Sequence, residues 1–385
     1  MAVTGGVPSP PEFDAVLRIE TKFANGSFAD CTATLVAPNI VVTAKHCVYE
    51  VGVGPFNCST DGVLTSSGSP GRFGAAAPSN DVKVYVGPTL TTTPFTSGSK
   101  TVGTKATDSC KDDIAFVVLQ TPVTNVTPVT IARRAAIDLL KPASVDGWGL
   151  TVDGGFPGVR QHRSNVRILD ANPSASGQNG PTARFVFTLA ESTCAGDSGG
   201  PAFDGDTTTI LGVLSRGNSD SSCTGSNARN AFGMLDSARD ALVEAFAFAD
   251  ALPRFEGRAA PGFTPFGAEC IASLECQRGD CLTPTGGTPR CATACTSDTE
   301  CADGTRCLPG GVCGVSADDG GAPTDSGSAG TGGDAGNDAV RERRPSACAM
   351  GPAGGTDGTG EGTARGAVLF GLALALSFGR RRRAC

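Results

Sequence analysis

Cys194-Ala195-Gly196-Asp197-Ser198-Gly199-Gly200-Pro201 sets one serine in a run of small residues, preceded by an acid and closed by Gly-Gly-Pro. Read physically, it is a tight turn that presents a hydroxyl to solvent. Glycines on both sides open backbone angles closed to other residues and let a second chain approach the main chain. Such a turn aims the N–H groups of Gly196 and Ser198 at one point, which suits an oxyanion during acyl transfer. Gly, Asp and Ser also make ordinary surface turns. What decides between the two is whether the rest of the chain supplies partners for the serine.

Around that turn the chain reads as antiparallel β. Short β-branched runs separated by Gly, Pro, Asn and Ser dominate the first 235 residues, and helix-period patterns are scarce. Ala15–Ile19 reads as a first strand. Residues 31–47 contain two β-rich runs joined by Pro38-Asn39, a hairpin signal, with Cys31 and Cys47 at its ends. A bridge between the two is an expectation that sets His46 at a strand end beside a covalent staple. Residues 52–80 read as an inserted loop, with Cys110 a candidate partner for its Cys58. Val82–Gly87 alternates as a strand should. Asp112-Asp113 stand at the mouth of the apolar run Ile114–Leu119, so the acid nearest the run is half-buried and needs a partner. Strands are expected over Arg184–Leu189 and Ile210–Leu214, on either side of the serine turn. From Leu235 to Phe248 apolar residues recur at helical spacing, predicting a terminal helix packed on the sheet.

Composition bounds the function classes. With 31 basic and 38 acidic residues the net charge is −7, which gives a nucleic-acid partner no electrostatic support. Sixteen cysteines, eight of them between Cys270 and Cys313, read as a disulfide framework in an oxidising compartment. No C-x-x-C pair occurs and the chain has two histidines, so neither a structural metal nor a cofactor is expected. Export is expected, yet residues 1–20 hold no apolar run of signal-peptide length. The expectation is a signal lying upstream of the given start.

The chain thus offers His46, Asp112 or Asp113, and Ser198. A serine hydroxyl is a weak nucleophile until a base takes its proton, and neutral imidazole does that near pH 7. A half-buried carboxylate holds the imidazole's tautomer. Thr43-Ala44-Lys45-His46-Cys47, Asp113-Ile114-Ala115 and Gly196-Asp197-Ser198-Gly199-Gly200-Pro201 resemble, in this order, the three motifs of chymotrypsin-family serine proteases. Gly147-Trp148-Gly149 resembles a further landmark, and the resemblance covers roughly residues 3–250. It implies an all-β fold of two antiparallel six-stranded barrels with a C-terminal helix. It also implies a His46, Asp113, Ser198 triad, with Asp112 a solvated neighbour, and an oxyanion hole from Gly196 and Ser198.

The same resemblance makes Ser215-Arg216-Gly217 the edge that pairs with substrate, with Arg216 where tryptophan is usual. Lys45 stands where alanine is usual. Cys194 and Cys223 resemble the disulfide closing the specificity pocket, and Ser192 falls at its floor. Val3-Thr4-Gly5-Gly6 resembles a mature N-terminus whose ammonium, freed by cleavage of a zymogen, inserts beside Asp197. His162 carries no motif and is expected at the surface.

Five regions follow: a protease domain over 1–252, a linker over 253–267, a Cys-rich disulfide module over 268–314, a Gly/Asp/Ser-rich linker over 315–347 and a sorting tail over 348–385. The module carries a weak repeat, since Cys270 to Cys276 and Cys295 to Cys301 share C-x5-C spacing. The tail has Cys348, an apolar segment over 366–379 and an Arg cluster over 380–383, and is similar to the sorting signals of myxobacterial surface proteins. That implies attachment at the cell surface through sorting machinery acting at Cys348. The enzyme is expected to be monomeric, with protein or peptide substrates. The alternative is a catalytically silent protease-like protein that binds or adheres through the Cys-rich module.

Overall fold

The computed structural model describes residues 3–314 apart from 60, 61, 66, 135, 151–157, 172–185, 218–222, 226, 227, 285, 286, 302–304 and 309. The linker and tail from 315 onward, with Cys348 and the apolar segment, lie outside the described residues.

Hydrophobic alternation and short turns produce a closed six-stranded barrel. Val16–Lys22 pairs with Phe28–Ala37, which turns at Pro38-Asn39 into Ile40–Thr43. Ala115–Leu119, Thr96–Gly103 and Val82–Tyr85 complete the circuit back to Val16–Lys22. Leu17, Ile19, Leu35, Val42 and Phe116 are wholly buried inside it. Burying such a side chain contributes about 1.5–3 kcal/mol.

The second half forms the other sheet of the all-β fold. It is a nine-stranded sheet whose main path runs Val7–Pro8, Gln161–Val166, Ala143–Gly147, Pro201–Asp204, Thr209–Gly217, Asn230–Met234, Val186–Leu189 and Ile168–Ala171. The path does not close among the described residues. The ninth strand, Thr130–Ile131, pairs in parallel with Thr209–Gly217. Phe187, Phe232, Ala202 and Val145 form its separate core. Of the strand expected over Arg184–Leu189, Val186–Leu189 is described.

The chain then turns through Leu235–Ala238 into the helix Arg239–Phe248, which buries Ala241, Leu242, Ala245 and Phe246 against the first barrel. Residues 253–267 do not form a free linker. Phe255 is 2% exposed and joins the barrel core, and Glu256 N–H donates to the Ile131 carbonyl at 2.9 Å. Phe255 and Phe263 supply this packing.

The Cys-rich module consists of two small hairpins, Asp280–Leu282 with Arg290–Ala292 and Arg306–Leu308 with Val312–Gly314. Each repeat is stapled first-to-third and second-to-fourth: Cys270–Cys281 and Cys276–Cys291, then Cys295–Cys307 and Cys301–Cys313. Units this small lack a core of their own and rely on such staples. The first repeat is docked on the protease fold by Leu274, which joins the barrel core, and by buried Glu275, which accepts from Arg133 at 3.0 Å.

Candidate active site

His46 lies in a short turn, Lys45–Cys47, just past strand Ile40–Thr43. That strand runs antiparallel to Ala115–Leu119, with Thr43 opposite Ala115. The exit of one strand therefore lies beside the entry to the other, which brings His46 to Asp113. His46 Nδ1 is 2.7 Å from Asp113 Oδ2, and the His46 backbone N–H donates to Asp113 Oδ1 at 2.9 Å. Ser215 Oγ donates to the same Oδ2 at 2.7 Å. With Nδ1–H held on the carboxylate, Nε2 is left as the basic nitrogen.

The charges of the pair sustain each other. Burial pushes the Asp113 carboxyl up, but the His46 charge, its hydrogen bonds and the Ser215 hydroxyl hold it below its ordinary value. Burial pushes the imidazole down, but the charge and hydrogen bond of Asp113 win, leaving His46 above its usual 6.5 while Arg216 pulls it part of the way back.

The serine turn is fastened from three sides. Asp197, 1% exposed, accepts N–H bonds from Gly149 at 2.7 Å, Cys194 at 2.8 Å and Val3 at 3.0 Å. Thr32 N–H donates to the Ser198 carbonyl at 2.8 Å, tying the turn to the hairpin that leads to His46. Gly199 (φ +82) approaches so closely that a Cβ there would lie 2.1 Å from Thr43 Oγ1 and 2.3 Å from the Thr32 carbonyl. Gly196 (φ +94) likewise leaves no room, since its Cβ would meet Gly149 Cα at 2.9 Å. Among the described residues neither the Gly196 N–H, the Ser198 N–H nor the Ser198 hydroxyl has a hydrogen-bond partner.

Beside the turn, Cys194 is bonded to Cys223, and Ser192 is fully buried with Asn230 Nδ2 donating to its hydroxyl at 3.2 Å. The carboxylate of Glu191 is taken by the Gly225 N–H. Pairing of Thr209–Gly217 with Pro201–Asp204 starts at Val213, so Ser215–Gly217 pair on one side only among the described residues. Arg216 is not turned to that open edge alone, because its Nη1 donates to the Ser109 carbonyl at 2.7 Å. Cys31–Cys47 and Cys58–Cys110 are joined, the first beside His46 and the second in the segment before Asp113.

Two expectations need correcting. Asp112 is half-buried rather than solvated; it takes φ +54, and its Oδ1 is buried with no hydrogen-bond partner among the described residues. Burial pushes its carboxyl up against the pull of the Ser237 hydroxyl. His162 is 7% exposed, stacked on Phe13 at 4.3 Å and bonded to Asp146 at 3.2 Å. Buried Arg160 and Ser9 complete that cluster through Asp146. The readable signal was the position of His162 on a strand beside other polar residues, whose shared burial no local pattern announces.

The sequence profile of the trypsin family matches residues 9–239. A trypsin from Saccharopolyspora erythraea is 28% identical over 195 residues, covering 49% of this chain and 75% of that protein. Trypsin alpha-4 from Lucilia cuprina is 24% identical over 198 residues, covering 49% and 67%. The solved structure of HL collagenase aligns with a TM-score of 0.46 at 17% identity, covering 64% of this chain and 99% of that one. The profile match takes in more than half of the sequence, including His46, Asp113 and Ser198, and on that ground the chain belongs to the trypsin family of serine proteases.

Proposed function

We propose that the chain is a serine endopeptidase in which Ser198 is the nucleophile, His46 the general base and acid, and Asp113 the carboxylate that orients and charges the imidazole. The observation that carries this reading is the His46–Asp113 pair at 2.7 Å, next to a serine whose hydroxyl and flanking N–H groups have no other engagement among the described residues. Ser198 Oγ attacks the scissile carbonyl while His46 Nε2 takes its proton. The imidazolium is stabilised by Asp113, and the N–H groups of Gly196 and Ser198 receive the oxyanion. His46 then protonates the leaving amine, and water hydrolyses the acyl-enzyme by the reverse sequence. Hydrolysis of peptide amides by the wild-type protein, lost in Ser198→Ala and His46→Ala, tests the reading; full activity in Ser198→Ala overturns it.

Activation by N-terminal cleavage belongs to the same proposal. It is supported by Val3, fully buried with its nitrogen on Asp197. Substrate strands add to the open edge at Ser215–Gly217, with the first substrate side chain entering beside Ser192. The disulfides support export, and the Cys348 tail motivates attachment at the cell surface.

A further inference from the structure

We propose that Lys45 and Arg216 are positioning residues, two cations that grip the loop in front of Asp113 and hold that carboxylate on His46. The inference rests on the triad just proposed and adds two residues to it. Residues 104–114 connect strand Thr96–Gly103 to strand Ala115–Leu119; Gly103 faces Ala115 at the base of this loop, Asp108 bridges to Arg72 further along it, and Cys110 is bonded to Cys58. Lys45 Nζ donates to the carbonyls of Thr104 and Ala106, at 2.7 Å each. Its ammonium also lies over the rings of Tyr49 at 4.7 Å and Phe73 at 4.8 Å. Arg216 Nη1 takes the Ser109 carbonyl further along the same loop.

The placement of the two cations follows the site. Lys45 immediately precedes His46 and Arg216 immediately follows Ser215, and His46 and Ser215 are the two residues that donate to Asp113. Each donor thus has a chain neighbour that fastens the loop behind the acceptor. Both cations sit where charge is disfavoured: Lys45 is 5% exposed, and burial pushes the pKa of both below its ordinary value while Asp113 opposes that shift. A buried cation is retained at a cost unless its hydrogen bonds and a counter-charge offset it. Here the counter-charge is the catalytic carboxylate itself.

Among the described residues two charged groups act on His46. Asp113 faces it from the loop and Arg216 from the strand. Lys45, on its own turn, points to the loop carbonyls, Asp108 faces Arg216 and Asp112 turns to Ser237. Asp113 therefore favours the imidazolium, and Arg216 is the group that opposes it. Removing Arg216 loosens the loop and also removes that opposition.

With only two histidines in the chain, His46 can be followed by NMR through its ring proton titration, in the Ser198→Ala background and without any turnover. In Arg216→Gln the His46 midpoint rises by about one pH unit, while Arg216→Lys leaves it near the wild-type value. In the active protein the acid limb of kcat/KM moves up by the same amount in Arg216→Gln, and kcat falls as the loop loosens. Lys45→Met lowers kcat about 10- to 100-fold at unchanged KM, with Ser198 still labelled by a fluorophosphonate and the folded fraction equal to wild type. An unmoved midpoint in Arg216→Gln, or a change confined to KM, overturns the assignment and makes Arg216 a substrate contact. A kcat loss in Lys45→Met that only follows the unfolded fraction overturns the role of Lys45. An absence of hydrolysis in the wild-type protein would strike the proposed function instead, since the midpoint measurement does not depend on it.

Discussion

Cleavage before Val3 should reverse the way stability depends on pH. In the uncleaved chain Val3 offers Asp197 a neutral amide N–H. Burial is the main force on that carboxyl; the N–H bonds from Cys194, Gly149 and Val3 resist it, the nearby Asp146 adds to it, and the pKa is pushed up to about 6 from 3.8. A rise of about two pH units costs about 3 kcal/mol when the group ionises at neutral pH. The folded pKa lies above the unfolded one, so this contribution is full below about pH 4 and is lost as pH rises through about 6. A free ammonium at Val3 supplies the missing charge and depresses the Asp197 pKa, giving the opposite sign: stability is kept as pH rises and lost as pH falls. The difference between the two forms is about 3 kcal/mol at pH 7, about 100-fold in the population of the ordered serine turn. Thermal unfolding of both forms from pH 4 to 7 reads the sign, and initial rates on a peptide amide read the population. Parallel pH profiles with equal rates would refute the reasoning.

Three further outcomes are expected. Because Ser192 is a neutral hydroxyl capped by Asn230, and the Glu191 carboxylate is turned to the Gly225 N–H, substrate profiling should favour apolar over basic P1 side chains; predominant cleavage after Arg refutes this. Glu275→Gln removes the buried carboxylate that accepts from Arg133, Thr264 and two backbone N–H groups, and should destabilise the docking of the first Cys-rich repeat by about 3 kcal/mol. Hydrogen exchange over residues 253–282 checks it, and unchanged protection would contradict it. Cys348→Ala should release the mature protein from the cell surface into the medium, and undiminished attachment would end the sorting proposal.

Which parts were legible in the sequence follows from how local each signal is. The Pro38-Asn39 turn between two β-branched runs announces a hairpin, and a serine set among small residues and closed by Gly-Gly-Pro announces the serine turn. Residue pairs joined by register rather than by proximity were less visible. Ser215 reads from the sequence as substrate edge, and only the fold shows its hydroxyl on Asp113. Lys45 was visible as a departure from the motif, but its purpose depends on a loop 59 residues away. His162 looked like a surface residue because its partners, Phe13 and Asp146, come from other strands and turns. The packing of Phe255 within the stretch read as a linker was invisible for a similar reason, since the barrel face that receives it comes from distant residues.

A nucleophilic Ser198 activated by His46 and Asp113 should react with a serine-directed phosphonylating reagent. Intact-mass analysis of the Val3 form after treatment with a fluorophosphonate, with the adduct located by peptide mapping, tests it most directly. A single adduct is expected, on Ser198, formed at a rate that falls as His46 protonates and lost in His46→Ala. Peptide hydrolysis with no adduct on Ser198, or an adduct that forms equally fast in His46→Ala, would contradict it.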